Sequence, residues 1–210
     1  ISNYIFVISD FDDSAWIRDT SIYREISLLD GSLLSTINAT EISRIFAQSD
    51  YYLSGTVNNT FSGNLNDPDS KLIKTGSSSV SFTGTNNSSG GILIEGGDLI
   101  IEKKESLGKG DIEIAGSELT INGSFDLENN ISLNSSSTID IGGATEIYGE
   151  INGTGDLTLT GSGSINFSGK DEHAGTKYID GATVSINTSS QSEFNINSGI
   201  IKGAGSLHDL

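Results

Sequence analysis

Few side chains in this chain are suited to nucleophilic or acid–base chemistry. It has two histidines, His173 and His208, and no cysteine. Serine and aspartate are abundant, so some Ser-His-Asp set can always be nominated, but a G-x-S-x-G nucleophile elbow is missing, and Gly161-Ser-Gly163 is one residue too tight for one. His173 falls in a variable stretch, where we expect a solvated loop residue. These observations argue against a protease.

Paired carboxylates are the second chemistry to consider. Sugar-cleaving enzymes use two of them, or use carboxylates together with Ca²⁺ and a basic residue. The candidate sets are Asp67 with Asp69, then Asp10, Asp12 and Asp13, and finally Asp171 and Glu172 beside Lys170. All three sets lie in predicted turns, where acidic residues are ordinary. We therefore predict no catalytic, cofactor-binding or metal-binding residue.

Two glycine-rich stretches could be mistaken for ligand-binding loops. Gly96-Gly97-Asp98 is too short a piece of the nonapeptide that binds Ca²⁺ in some solenoids. Gly153-Thr-Gly155 is not followed by the Lys-Ser/Thr of a phosphate loop. Both are interpreted as turns.

Composition excludes several classes of protein. The 210 residues carry a formal net charge of −17, which disfavours binding to nucleic acid or anionic lipid. Without cysteine there are no disulfides and no thiolate metal sites. No apolar run approaches the roughly 18 residues of a membrane helix. Because the chain also lacks methionine, we expect it to be a piece of a longer product whose signal peptide or anchor lies elsewhere.

The elements that would position these side chains are short strands. From residue 51 onward, apolar residues alternate with polar ones in runs of two or three, and each run ends in Gly, Ser, Asn or Thr. We predict strands near 53–57, 72–74, 80–82, 92–94, 99–101, 112–114, 119–121, 125–127, 131–133, 139–141, 146–148, 157–159, 165–167, 178–179, 184–186, 194–196 and 200–201.

Residues 1–50 have a different composition. They hold all three arginines, the single tryptophan and only one glycine. Tyr4 to Ile8 is predicted to be a buried strand, and the spacing of apolar residues between Thr40 and Ser49 is compatible with a short helix. We interpret residues 1–50 as a non-repeat segment, either a cap or an insertion, that precedes a repetitive region at 51–210.

The repetitive region contains an internal repeat. Residues 72–101 and 157–186 align without a gap at an offset of 85 residues, and a shorter echo relates 149–157 to 199–207. An antiparallel sandwich or barrel gives no reason for such self-similarity, whereas a β-solenoid does. Three strands per turn imply rungs of about 21 residues and seven or eight rungs in all. Phe82 and Phe167 are then predicted to occupy equivalent interior positions about four rungs apart, and turn asparagines to stack into ladders.

The repeat motifs resemble the passenger-associated repeats of bacterial autotransporters. The similarity lies in Lys71 to Gly76, continues through Ser106 to Gly110 and Leu119 to Ile121, and returns in Gly149 to Leu157 and Thr183 to Ile186. The first copy has Gly76-Ser-Ser78 where the family has Gly-x-Gly, and Gly91-Ile where it has Gly-Thr. The resemblance implies a right-handed single-stranded parallel β-helix, carried across the outer membrane by a C-terminal translocator barrel that this fragment does not contain.

Fold and resemblance together lead to a functional expectation. We expect a non-enzymatic adhesin on the bacterial cell surface or secreted, which binds a host-cell protein or glycan or associates with itself. Two alternatives stay open: a carbohydrate-active β-helix enzyme, a lyase or hydrolase, and a toxin-type or surface-layer self-assembling passenger. Convergence of several carboxylates with a basic residue on one outer face would favour the enzyme.

Overall fold

The computed structural model describes residues 6–8, 14–19, 22–27, 33–38, 50–53, 58–62, 64–66 and 68–206, with side chains described from residue 50 onward except at Asn59. The short helix considered between Thr40 and Ser49 lies outside these residues. The described chain is all-β, and its main body is a parallel β-solenoid of about seven turns. The prediction of a parallel β-helix is confirmed.

The first strands form a separate four-stranded sheet. Its strands are β1 (Phe6–Ile8), β2 (Ser14–Asp19), β3 (Ile22–Ser27) and β4 (Leu33–Asn38), and they pair in chain order and antiparallel. β1 agrees with the predicted strand, whereas β2 to β4 cover a stretch that sequence patterning leaves unassigned. β1 lies against β5, the first strand of the solenoid.

Each turn of the solenoid passes through three faces. The first face is a six-stranded parallel sheet. Its strands are β5 (Tyr51–Leu53), β7 (Leu72–Lys74), β9 (Ile92–Ile94), β11 (Ile112–Ala115), β13 (Ile131–Ser135) and β16 (Ile151–Gly153). Isolated bridges through Asp171 and Ser190 continue it by two further rungs.

The second and third faces share a ten-stranded sheet, because the last two strands are long enough to run along both. The second face consists of β6 (Asn59–Phe61), β8 (Ser79–Phe82), β10 (Asp98–Ile101), β12 (Glu118–Ile121), β14 (Ser137–Ile141) and β17 (Leu157–Thr160). The third face consists of β15 (Ala144–Ile147) and β18 (Ser164–Phe167). β19 (Lys177–Ile186) and β20 (Phe194–Lys202) pair with the second face first and the third face afterwards. A 3₁₀ turn, Lys104–Ser106, lies between β10 and β11.

Alternation along each strand builds the core. Inward side chains stack in columns with one residue from each rung, such as Leu99, Leu119, Ile139 and Leu159 on the second face, all fully buried. Paired residues are mostly separated by 19 to 21 positions, as in Ile112 with Ile131 and Tyr51 with Leu72, close to the predicted rung. Between β19 and β20 the separation falls to 17 or 18. Each rung therefore buries its apolar face only against its neighbours.

Outward side chains also bond from rung to rung. Asn87 donates to Asn66 and Asn187 donates to Asn166, each at 2.8 Å. These pairs agree with the predicted stacking of asparagines at turns.

Residues related by the 85-residue repeat do not lie on the same face of the solenoid. Phe82 lies on the second face, in a column with Phe61 and Ile101, whereas Phe167 lies on the third face between Ile147 and Ile186. The prediction that the two phenylalanines are equivalent is wrong, although both are buried. The offset of 85 residues is four rungs of about 20 residues plus the length of about one face. The second copy of the repeat is therefore shifted by one face, a third of a turn. Every face needs the same inward alternation, which is why the motif fits both places.

Candidate functional site

A cluster of polar side chains lies inside the solenoid near its C-terminal end. We define the Lys177 cluster as Asp171, His173, Lys177, Ser190 and Ser192. Asp171 and Ser190 occupy the first-face column after Ile151, and Lys177 follows Leu157 in a second-face column. All five residues are buried, with Lys177, His173 and Ser192 at 0% exposure. The cluster therefore spans two rungs at the corner between the first and second faces.

Lys177 is the centre of this cluster. Its Nζ donates to Oδ1 and Oδ2 of Asp171, both at 2.9 Å, and to Oγ of Ser192 at 2.5 Å. The rings of Phe167 and Phe194 lie 5.8 and 5.4 Å from Nζ. Burial lowers the pKa of Lys177, and the charge and hydrogen bonds of Asp171 oppose that shift. The amine is thus held dry between a carboxyl group and two aromatic rings.

His173 also contacts Ser192, the residue whose Oγ accepts from Lys177. Its Nε2 lies 2.6 Å from the carbonyl oxygen of Gly155, and its Nδ1 lies 2.9 Å from Oγ of Ser192. Burial, reinforced by the charge of Lys177, lowers the pKa of His173. Because a carbonyl oxygen only accepts, the neutral ring carries its proton on Nε2. The Ser192 hydroxyl donates to the backbone carbonyl oxygen of His173 at 2.8 Å, and Nδ1 lies beside it as a second acceptor.

This geometry corrects two predictions. His173 is not a solvated loop residue, since its ring is fully buried and both nitrogens have partners. Asp171 does not share a turn surface with Lys170 and Glu172. Strand-like alternation sends Asp171 inward to Lys177, while Lys170 and Glu172 point outward and pair with each other at 2.5 Å.

The outward neighbours form an exposed ion-pair group. Lys170 lies between Glu172 and Glu150, with the second nitrogen–oxygen distance at 3.9 Å. Glu172 raises the pKa of Lys170, so this side chain stays charged at neutral pH. Ion pairs as exposed as these contribute little to stability.

A second buried lysine lies near the opposite end. Lys74 is 0% exposed, and its Nζ donates to the carbonyl oxygens of Thr75 and Gly96, both at 2.8 Å, and of Gly76 at 3.4 Å. Burial lowers the pKa of Lys74 to about 8, against the opposing charge of Asp98. Both buried lysines could have been found in the sequence, because Lys74 and Lys177 occupy positions where the alternation demands an apolar residue.

Carboxylates also gather on the outer side of the second face. Asp98 and Glu118 are paired residues of adjacent strands, and Asp140 follows on the next rung. Burial raises the pKa values of Asp98 and Glu118, and the neighbouring carboxylates add to both shifts. Thr120 donates to Asp98 at 3.0 Å, and Thr160 donates to Asp140 at 2.8 Å. These hydrogen bonds link the carboxylates to side chains of the neighbouring rung on the outer surface of the sheet.

The remaining candidates do not form a site. Asp69 lies exposed in a turn, while Asp67, His208 and the set Asp10, Asp12 and Asp13 lie outside the described residues. Across the described ranges, no three His, Asp or Glu side chains are grouped so as to hold a metal ion. In the part of the chain with assigned structure, no helix has the length and hydropathy needed to span a membrane.

Comparison of this chain with protein-family models, with curated protein sequences and with solved structures yields no match. The arguments about function therefore rest on the residues and their geometry. Chemically, the Lys177 cluster brings an amine, a carboxyl group, hydroxyl groups and an imidazole together, but it is sealed from solvent. The outer faces can offer repeated hydrogen-bonding groups to a partner.

Proposed function

We propose that this chain is part of a bacterial adhesin, displayed on the cell surface or secreted, in which the β-solenoid is a rigid rod that carries many weak contacts. The observation that most supports this proposal is the regular arrangement of the outer side chains. Rung-to-rung hydrogen bonds order the pairs Asn66–Asn87, Asn134–Glu113, Thr160–Asp140 and Asn187–Asn166 along the rod. Ordered, repeated polar groups suit binding to a glycan or protein surface at several points at once.

The resemblance to autotransporter passenger repeats supports the same proposal. Passengers of that kind are carried across the outer membrane by a C-terminal barrel and serve as adhesins or self-association factors. The net charge of −17 favours partners that are neutral or basic over nucleic acid. The partner is accordingly a host-cell protein or glycan, or a second copy of the chain.

A bead assay tests this proposal. Beads coated with the purified chain are compared with beads coated with the heat-unfolded chain for attachment to host cells and to each other. Lys170→Ala, a change on the outer surface, should alter attachment by less than about tenfold, because many contacts share the binding. Asp171→Ala is no surface probe, because Asp171 is buried. A single outer substitution that abolishes attachment would point to one pocket and to a lectin or an enzyme.

One observation favours the enzyme alternative. Lys170, Glu150 and Glu172 bring two carboxylates and a basic side chain together on the outside. A carbohydrate-active enzyme needs such a group in a groove that excludes water around the sugar. Incubating the chain and its Glu150→Gln variant with a panel of polysaccharides decides the matter: turnover lost in the variant would favour the enzyme, and no turnover by either would favour the adhesin.

A further inference from the structure

The contact between Lys177 and Asp171 is unusual because both side chains are sealed from water. Their side chains are 0% and 1% exposed. A buried ion pair bears a desolvation penalty that mutual attraction offsets only in part. Transfer of one proton from the ammonium to the carboxylate removes both charges without changing the net charge of the pair. Attack by nitrogen needs the unprotonated amine, and this internal proton transfer supplies it.

We propose that Lys177 and Asp171 are joined by an intramolecular isopeptide bond, an amide formed between their side chains in the folded chain with loss of one water molecule. This bond would be a covalent modification of the solenoid interior. It is independent of what the outer faces bind.

The distances place the reacting atoms together. Nζ is 2.9 Å from both Oδ1 and Oδ2. Since the two oxygens of a carboxyl group are about 2.2 Å apart, an atom equidistant from them at that range lies within roughly 3.3 Å of Cγ, a near-attack separation. Because the two distances are equal, Nζ lies midway between the two carboxyl oxygens. Rotation of the Asp171 carboxyl group would then turn the face of Cγ toward Nζ.

The neighbouring groups distinguish the two oxygens. The backbone N–H of His173 donates to Oδ1 at 3.3 Å, so Oδ1 has a donor that stabilises negative charge when Nζ attacks. Oδ2 is then the leaving oxygen. Nζ bonds to Cγ, the bond between Cγ and Oδ2 breaks, and Oδ2 departs as water with the carboxyl proton and one proton from Nζ. No oxidant, reductant or other reactant is needed.

Ser192 and His173 hold the reacting amine in place. Oγ of Ser192 accepts from Nζ at 2.5 Å and donates to the carbonyl oxygen of His173 at 2.8 Å, while Nδ1 of His173 lies 2.9 Å from the same Oγ. The product would keep the same partners: the amide N–H would donate to Ser192 and the amide oxygen would accept from the His173 backbone. The pocket therefore already has the hydrogen-bonding groups that an amide needs.

Mass spectrometry of the intact, denatured chain tests the proposal. The purified wild-type chain should be lighter than its sequence by one water molecule, whereas Lys177→Met should have its full sequence mass. Asp30-Gly31 and Asp180-Gly181 are possible sources of error, because an Asp-Gly pair can lose water by forming a cyclic imide. The Lys177→Met chain retains both pairs and so reports that reaction alone.

Trypsin digestion gives the second reading. An amide at Lys177 blocks cleavage there, so the digest should contain one peptide from Asp171 to Lys202, lighter by one water, with fragment ions that join Asp171 to Lys177. Cleavage after Lys177 in a wild-type chain of full mass would overturn the proposal. Should Lys177→Met fail to fold, the wild-type digest decides alone, and fragment ions that assign the lost water to Asp180 would also overturn it.

Discussion

Lys74 allows a test of how strongly the solenoid interior opposes charge. Its ammonium lies among the carbonyl oxygens of Thr75, Gly76 and Gly96, and burial lowers its pKa from 10.5 to about 8. Between those two pH values the unfolded chain holds the Lys74 proton and the folded chain has released it. Unfolding therefore takes up a proton, and the free energy of unfolding rises with pH across this window.

The magnitude follows from the same two pKa values. From pH 7 to pH 10, the release of the Lys74 proton should add about 2 to 3 kcal/mol to the free energy of unfolding. Other groups titrate in this range as well, so the useful quantity is the difference between wild type and Lys74→Met, measured by urea denaturation at several pH values. Methionine has a similar length and no charge, so this contribution vanishes in the variant.

The exposed residue Lys109 provides the matched control. Lys109→Met makes the same substitution at an exposed side chain and should stay within about half a kcal/mol of the wild type. The reasoning would be refuted by a difference between wild type and Lys74→Met that stays constant from pH 7 to pH 10. That result would mean that water or Asp98 compensates the buried charge.

Three further predictions concern the interior. Phe167→Ala should cost about 3 to 5 kcal/mol in urea melts by opening a cavity, while Tyr148→Ala, at a residue 50% exposed, should stay within about half a kcal/mol. His173→Ala should cost about 1 to 3 kcal/mol at pH 7. The lowered pKa of His173 means that its contribution is complete above about pH 6.5 and is lost as pH falls, so the penalty of the alanine variant should shrink at pH 5. Gly161→Ala should destabilise more than Gly116→Ala, because both have positive φ but only at Gly161 would the new Cβ clash with a backbone oxygen, that of Ile141.

The strands of the solenoid were predictable because alternation is local. Strands such as β9 and β12 fall within a residue of their predicted positions, since a buried inner face imposes apolar residues at every second place. β6 and β16 were missed, because each is only three residues long and contains Asn or Gly. The predicted strand 125–127 is reduced to a bridge at Leu127.

The face on which each strand lies was not predictable. A sequence repeat shows that the same series of strands and turns occurs twice. It does not show on which face each series starts, because all three faces need the same series. The buried cluster was missed for a related reason. His173 was predicted to be solvated because its segment is polar, and Lys177 was not singled out, although its alternation with Ile179 places it inside. When the length of the rung is known, the place of a residue in the inward–outward alternation should decide whether it is predicted to be buried, ahead of its residue type.

The unit of this fold is accordingly the rung, and deletion of one rung tests that conclusion. Removing residues 112–130 joins Asp111 to Ile131 and lets Ile131 and Leu133 take the places of Ile112 and Ile114 beside β9. On the second face, Ile139 and Ile141 would follow Leu99 and Ile101. Every inward column keeps its apolar sequence, so the shorter chain should unfold cooperatively in urea with a smaller m-value.

A smaller deletion should do more damage. Removing only residues 112–117 would bring Glu118 and Thr120 to the inward places of Ile112 and Ile114 and would turn Leu119 and Ile121 outward. One register change of this kind moves a whole apolar set to the wrong side of the sheet. Circular dichroism with urea titration should show a cooperative transition for the longer deletion and none for the shorter one. If the shorter deletion unfolds as cooperatively as wild type, inward parity does not determine the fold, and the assignment of Lys177 and His173 to the interior loses its basis.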